Sequence, residues 1–131
     1  FRHDHIGYNY RMPNINAALG CAQMENLEKF VLNKRETAAK YAEFFKDIED
    51  IEFFVEPENT RSNYWLSTVI LKDKAAQQEF LQQTNDHGVM TRPIWELMNR
   101  LPMFEHCQND GLENTIWFAD RVVNIPSSVR L

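Results

Sequence analysis

From Asn14 to Ile48 the apolar residues Ile15, Ala18, Leu19, Ala22, Leu27, Val31, Ala38, Tyr41, Phe45 and Ile48 recur mostly at steps of three and four. Side chains spaced in this way share one face of a helix. Pro13 precedes them, at a first turn where a missing backbone N–H costs nothing. At 1.5 Å per residue an unbroken helix over this span would be about 50 Å long. A compact domain of 131 residues has a radius of gyration of only ~14 Å. The chain must therefore kink, between Asn26 and Arg35, or send the helix out of its own domain to pack on something else. The small-residue run Ala17-Ala18-Leu19-Gly20-Cys21-Ala22 lets another backbone come close. It suits a projecting helix and a tightly packed internal one equally.

The rest of the chain alternates short elements. Ile51 to Val55 reads as a strand, EPENTRSN as a polar loop, and Tyr64 to Lys72 as a strand rich in aromatic and β-branched residues. Lys74 to His87 returns to helix, with Ala75, Phe80 and Leu81 inward and Gly88 as its C-terminal cap. Val89 to Arg92 is a third strand stopped by Pro93. A long structured loop holding one helical turn leads to a last helix at Leu112–Arg121 and an extended VVNIPSS end. That order predicts an α+β fold: a small, largely antiparallel sheet with helices on one side.

Composition excludes several classes of protein. With 44% hydrophobic and 25% charged residues the chain has the makings of a core, unlike a disordered one. Fourteen basic against 19 acidic residues leave a net charge of −5, the wrong sign for sequence-independent nucleic-acid binding. No apolar run approaches the ~20 residues of a membrane-spanning helix. Cys21 and Cys107 lie far apart and outside any metal-like spacing, so both are expected as reduced, buried thiols, which places the protein in the cytoplasm. With Phe1 and not Met as its first residue, the chain is expected to be part of something longer.

Candidates for chemistry are few. His3-Asp4-His5 has metal-ligand types, although such a run near a terminus reads better as a solvated tail. His87 suits the carbonyl end of a helix, and Cys107 beside His106 lacks the through-space geometry of a nucleophile and its base. No phosphate-cradling glycine loop and no nucleophile elbow is spelled out. The exception is Gly7-Tyr8-Asn9-Tyr10-Arg11: a permissive glycine, an amide, two rings with hydroxyls and a permanent cation. These groups suit a phosphate or a phosphorylated cofactor. They also suit a helix-entry plug in which the tyrosines pack and Arg11 pairs with a carboxylate.

Residues 7 to 30, GYNYRMPNINAALGCAQMENLEKF, resemble the segment G-Y-N-Y-R-M … A-A-L-G … Q-L-E-x-L of the DegT/DnrJ/EryC1/StrS sugar aminotransferases, which depend on pyridoxal 5'-phosphate. KRETAAKYAEFF, NYWLSTVIL, HGVMTRPIW, LPMF and NIPSS follow in that family's order, so the likeness covers nearly the whole chain. The LegC-type enzymes of the family share T-R-P-x-W-x-L-M … L-P-M, here Thr91, Arg92, Pro93, Trp95, Leu97, Met98, Leu101, Pro102 and Met103. Perosamine synthases carry P-L-H in this loop, and their histidine falls on Asn99. The departure implies a different sugar pocket.

The resemblance implies an aspartate aminotransferase-like enzyme of fold type I, with a large cofactor-binding domain and a C-terminal small domain. Residues 1–131 are similar to that small domain with its lead-in helix at about 14–48; the large domain is absent. It implies a homodimer with active sites at the subunit interface, where Asn9 would reach the cofactor phosphate of the neighbouring subunit. It further implies glutamate as amino donor and a nucleotide-linked 4-keto-6-deoxy hexose as acceptor. Substrate contacts are expected from Tyr64, Arg92 and Trp95. Arg92 suits a diphosphate, and Trp65 and Trp95 suit stacking on a base or sugar, unless both indoles are core. The family's catalytic lysine lies upstream in a serine-x-x-lysine context that none of Lys29, Lys34, Lys40, Lys46, Lys72 and Lys74 shares. Those on helices read as solvated, and the chain alone is expected to be inactive, with an exposed face where the large domain docks. A non-catalytic binding or regulatory protein that kept the fold, and an oligomerisation module, are the alternative readings.

Overall fold

A computed structural model describes residues 3–8 and 11–130. The long helical stretch is broken in two: α1 spans Asn14–Met24 and α2 spans Leu27–Phe45. The break sits at the N-terminal edge of the expected range. Asn26 leaves helical geometry at φ −107° and ψ 2°, its N–H moves to the Gln23 carbonyl, and its side-chain amide donates to Ala22 O at 3.2 Å. The side chain thus satisfies a carbonyl that the helix end leaves orphaned.

The sheet is antiparallel throughout, in the order β1-β2-β4-β3, with β1 at Ile51–Phe53, β2 at Ser67–Leu71, β3 at Arg92–Pro93 and β4 at Val122–Ile125. Register pairs Phe53 with Val69 and Val69 with Val123, so these residues share a face. Against that face α2 sets Ala38, Tyr41, Ala42 and Phe45, a three-and-four spacing that makes one stripe. Helix α3, Lys74–Asp86, packs Ala76, Phe80 and Leu81 on the same cluster. Val69 and Val123 at its centre are fully buried. The observed fold is the expected α+β arrangement.

Local chemistry explains the boundaries. Asp73 caps α3 by accepting from Ala76 N at 2.8 Å. At the other end Gly88 takes φ +76°, Gly88 N donates to Asn85 O and Val89 N to Thr84 O, the paired bonds of a Schellman ending. Strand β2 begins three residues later than expected, because Tyr64 adopts φ +45° and a left-handed residue cannot extend a strand.

Other expectations need correction. The third strand is Arg92–Pro93 instead of Val89–Arg92; β3 lies at the sheet edge, where a proline without an N–H is tolerated. Ala75 is exposed, and the inward residues one step on are Ala76 and Gln77. Gln77 donates to Ala119 O at 2.9 Å and Val122 O at 2.8 Å, joining α3 to the end of helix α4, Glu113–Ala119, and to β4. The VVNI stretch is an inner strand of the sheet. Both cysteines are exposed: Cys21 belongs to α1, which buries no residue at all, and Cys107 follows the loop turns after Leu101. Among the described residues no helix is long and apolar enough to cross a membrane.

Candidate functional site

Strand β4 ends at Ile125, and the chain beyond it is laid along α2. Tyr41 donates its hydroxyl to Pro126 O at 2.9 Å, and Asn33 exchanges two hydrogen bonds with the backbone of Arg130. Between this tail and the segment leaving β3 opens a groove of about 610 Å³, whose walls include Arg92, Trp95, Glu96, Asn124, Ser127 and Ser128. Arg92 pairs across the sheet with Asn124, which is in turn opposite Thr68 and accepts its hydroxyl at 3.0 Å. Glu96 is engaged by Arg100 at 3.6 Å. Among the described residues the Arg92 guanidinium donates only to the Met90 sulfur, at 3.2 Å, and joins no ion pair. The groove therefore presents a guanidinium not neutralised by its own acid.

Trp95 lines this groove and lies beside Trp65, with ring centroids 6.2 Å apart at 32°. Neither indole is core: Trp65 is 66% and Trp95 61% exposed. Trp65 in turn lines a second groove of about 410 Å³ with Leu27, Phe30, Val31, Lys34 and Asn63. The two indoles are the partition between the grooves.

Arg92 and Trp95 are thus brought together, whereas Tyr64 stands apart from them. Its ring is half-buried, stacked on Phe53 at 6.5 Å with the Arg35 guanidinium over the ring at 5.7 Å, and its hydroxyl accepts from Glu56 N at 3.0 Å. Asn9 and Tyr10 lie outside the described residues. Around them Gly7, Tyr8 and Arg11 are exposed, and α1 starts with no side-chain cap and no acid in its first turn. Asn99 sits in the 3₁₀ turn Met98–Arg100, its Oδ1 buried without a partner. His5 and Asp4 meet at 2.8 Å in solvent, His87 Nδ1 approaches Gln83 O at 2.8 Å at the end of α3, and His106 and Cys107 are exposed. Among the described residues no three His, Cys, Asp or Glu side chains converge as a metal site would require.

Three residues escaped the sequence reading: Lys34, Arg35 and Glu56. Arg35 donates to Glu56 Oε2 at 2.9 Å and to Ser62 O at 2.7 Å, while Ser62 N donates to the same carboxylate. The Arg35 hydrogen bond, then that of Ser62, pulls the Glu56 carboxyl down to about 2. Lys34, expected as a solvated helix-face lysine, instead directs its ammonium at Trp65 O, 3.2 Å away, and at Ser127 O. Burial holds its pKa below the ordinary lysine value. The available signal was its spacing: Val31 and Lys34 continue the three-and-four series of Ala38, Tyr41 and Phe45 toward the start of α2, where they line the second groove.

Comparison with known proteins identifies the family. The sequence profile of the DegT/DnrJ/EryC1/StrS aminotransferase family matches residues 1–131. A GDP-perosamine synthase of Escherichia coli O157:H7 is 31% identical over 127 residues, 95% of this chain and 34% of that protein. A GDP-perosamine synthase of Vibrio cholerae is 32% identical over 135 aligned positions, 95% and 35% of the two chains. The chain spans about a third of the length of these curated relatives. Among solved structures, Helicobacter pylori PseC, an aminotransferase of pseudoaminic acid biosynthesis, superposes with a TM-score of 0.80 over 95% of this chain and 34% of its own at 18% identity. The sugar aminotransferase CalS13 of Micromonospora echinospora gives 0.76 over 95% and 33% at 23% identity. These likenesses establish the fold, the enzymes of the family use pyridoxal 5'-phosphate, and the chain, matched from end to end, belongs to the DegT/DnrJ/EryC1/StrS aminotransferase family.

Proposed function

We propose that this chain is the C-terminal small domain of a cytoplasmic, homodimeric sugar aminotransferase, LegC-like in its 91–103 loop, that moves an amino group from glutamate to a nucleotide-linked 4-keto-6-deoxy sugar. The observation that carries this reading is the groove that unites Arg92 and Trp95. An un-neutralised guanidinium next to an exposed indole is what a diphosphate joined to a ring requires. Arg92 binds the diphosphate, Trp95 stacks on the base or sugar, and Tyr64 acts from behind through the fold. The exposed apolar residues of α1, Ile15, Leu19 and Met24 among them, suit a covering large domain.

The described residues fit one end of the cofactor. The uncapped start of α1, free of acids, suits a phosphate, with Asn9, which precedes α1 in sequence, as a further donor to the cofactor of the neighbouring subunit. Pyridoxal 5'-phosphate, when bound, supplies the electron sink for exchanging amine and ketone. None of the six lysines suits the catalytic role: Lys34 is tied to carbonyls, Lys72 and Lys74 pair with Asp50 and Asp120, and Lys29, Lys40 and Lys46 are in solvent. The contribution of this chain is to bind and orient, and alone it is inactive.

The test is spectroscopic. The intact protein is expected to gain a visible absorption band with pyridoxal 5'-phosphate, to lose it on addition of glutamate, and to hold the cofactor more weakly as Asn9→Ala. An intact protein that takes up no cofactor would instead be a binding protein that kept the fold.

A further inference from the structure

Two neighbouring cations on α2 each hold a different part of the groove's surroundings. Arg35 grips the 56–62 loop through Glu56 and the Ser62 carbonyl. Lys34 reaches Trp65 O and Ser127 O, backbone atoms that lead to the two indoles' partition and to the wall of the larger groove. Trp65 is fixed twice more: its carbonyl accepts from Ser127 Oγ at 2.9 Å, and its N–H donates to Asn63 Oδ1 at 3.0 Å. Between the grips lies Tyr64, a bulky residue at φ +45°, a conformation that persists only where surrounding contacts over-determine it.

The lysine is a poor choice for stability alone. Position 34 is partly buried in the wall of the second groove, where an aliphatic side chain would avoid the cost of desolvating an ammonium. What a charge with several donors adds is a fixed distance to two carbonyls at once. We propose that Lys34 is a positioning residue for the substrate groove: it holds Trp65 against Trp95, so that the indole pair is formed before a nucleotide sugar arrives. The inference rests on the groove being the nucleotide-sugar site, and it gives the exposed pair a reason to be ordered. Preformed rings spare the ordering that would otherwise weaken binding.

Adjacent indoles couple optically, and the intact protein offers a readout through difference circular dichroism in the far ultraviolet. Trp65→Phe and Trp95→Phe are expected to remove the same pair of oppositely signed bands, and Trp117→Phe to leave it, which assigns the signal. Lys34→Met, with the hydrocarbon stem kept, is expected to lose more than half of it while the protein stays folded; Lys34→Arg, with donors restored, is expected to keep it. Affinity for uridine or guanosine diphosphate, measured by calorimetry, is expected to fall up to about tenfold in Lys34→Met, the worth of one aromatic stack. A folded Lys34→Met with an unchanged signal overturns the clamp. Should that variant fail to fold, Ser127→Ala replaces it, removing one hydroxyl from the same carbonyl: a diminished signal supports the clamp and an unchanged one overturns it. A wild type that shows the coupled bands but binds neither diphosphate overturns the assignment of the groove, and with it the use of the clamp.

Discussion

Helices α1 and α2 come from one continuous run of three-and-four spacing and end in opposite circumstances. Helix α2 sets Ala38 and Phe45 into the sheet and sends Asn33, Lys34 and Arg35 to the tail, the Trp65 turn and the 56–62 loop. Helix α1, which runs from Asn14 to Met24 and ends two residues before Asn26, buries nothing. The difference teaches that periodicity guarantees a face and says nothing of a partner. A helix can be amphipathic in the abstract and still have its apolar side chains in solvent, and in proteins packing supplies most helical stability.

The largest effect expected from this contrast is thermodynamic. Phe45→Ala empties a site in the core and is expected to cost about 3–4 kcal/mol, read from urea denaturation of this chain. Leu19→Ala, on the unpacked helix, is expected to stay within about 0.5 kcal/mol. Equal costs would mean that α1 packs on the domain after all and that the two helices do not differ.

The same contrast has a chemical form. Cys21 on α1 and Cys107 in the loop are both exposed, so a thiol reagent is expected to label both in this chain at similar rates. In the intact protein, Cys21 is expected to react at least several-fold more slowly than Cys107 because the large domain covers α1. Equal labelling there would leave α1 without the cover that its exposed Ile15 and Leu19 suit.

Acid separates the helices next. Glu56 binds the Arg35 of α2, and its pKa falls from 4.5 to about 2. A carboxyl lowered in the folded state lends stability that is complete above the ordinary value of 4.5 and vanishes as pH falls from there toward 2. Glu56→Gln is therefore expected to lower the melting temperature by a few degrees at neutral pH, and to lose that disadvantage near pH 2. The pair is partly open to solvent, at 31% and 21% side-chain exposure, and screening keeps the effect below that of the core truncation. A constant offset between wild type and variant at every pH would remove the ion pair as its cause.

How much of this was legible follows from where the information lies. Elements with their own local chemistry were readable: Asp73 and Gly88 bracket α3 because cap residues act on neighbouring backbone. The strand over Ser67–Leu71 showed in its alternation. The place of VVNI within the sheet was not readable, since strand order depends on partners 50 and more residues away in sequence, such as Thr68 opposite Asn124. Arg92 and Trp95 line one groove because a short proline-bounded motif keeps them three residues apart. Lys34 was not legible because a helix lysine reads as solvated, and its partners, the Trp65 and Ser127 carbonyls, lie 31 and 93 residues away in sequence. Tyr64 stands apart from Arg92 and Trp95, and its left-handed backbone and its bond from Glu56 N come only from the fold.

The smallest effect concerns the joint itself. Asn26 breaks the helix by donating to Ala22 O in place of the backbone N–H that an unbroken helix would offer. Asn26→Leu removes that competing donor and introduces a better helix former, worth a few tenths of a kcal/mol in intrinsic propensity. If the break is held only by this side chain, the two helices fuse, far-ultraviolet circular dichroism gains the signal of the residues between Met24 and Leu27, and stability changes by less than about 0.5 kcal/mol. If the break persists, the packing of α2 on the sheet fixes its start, and α1 leaves at an angle that the rest of the molecule, and not Asn26, decides. The Lys34 and Arg35 bonds predict which result follows: both lie within three turns of Leu27 and anchor that end of α2, so a fused helix must swing α1 and leave the Trp65 turn where it is.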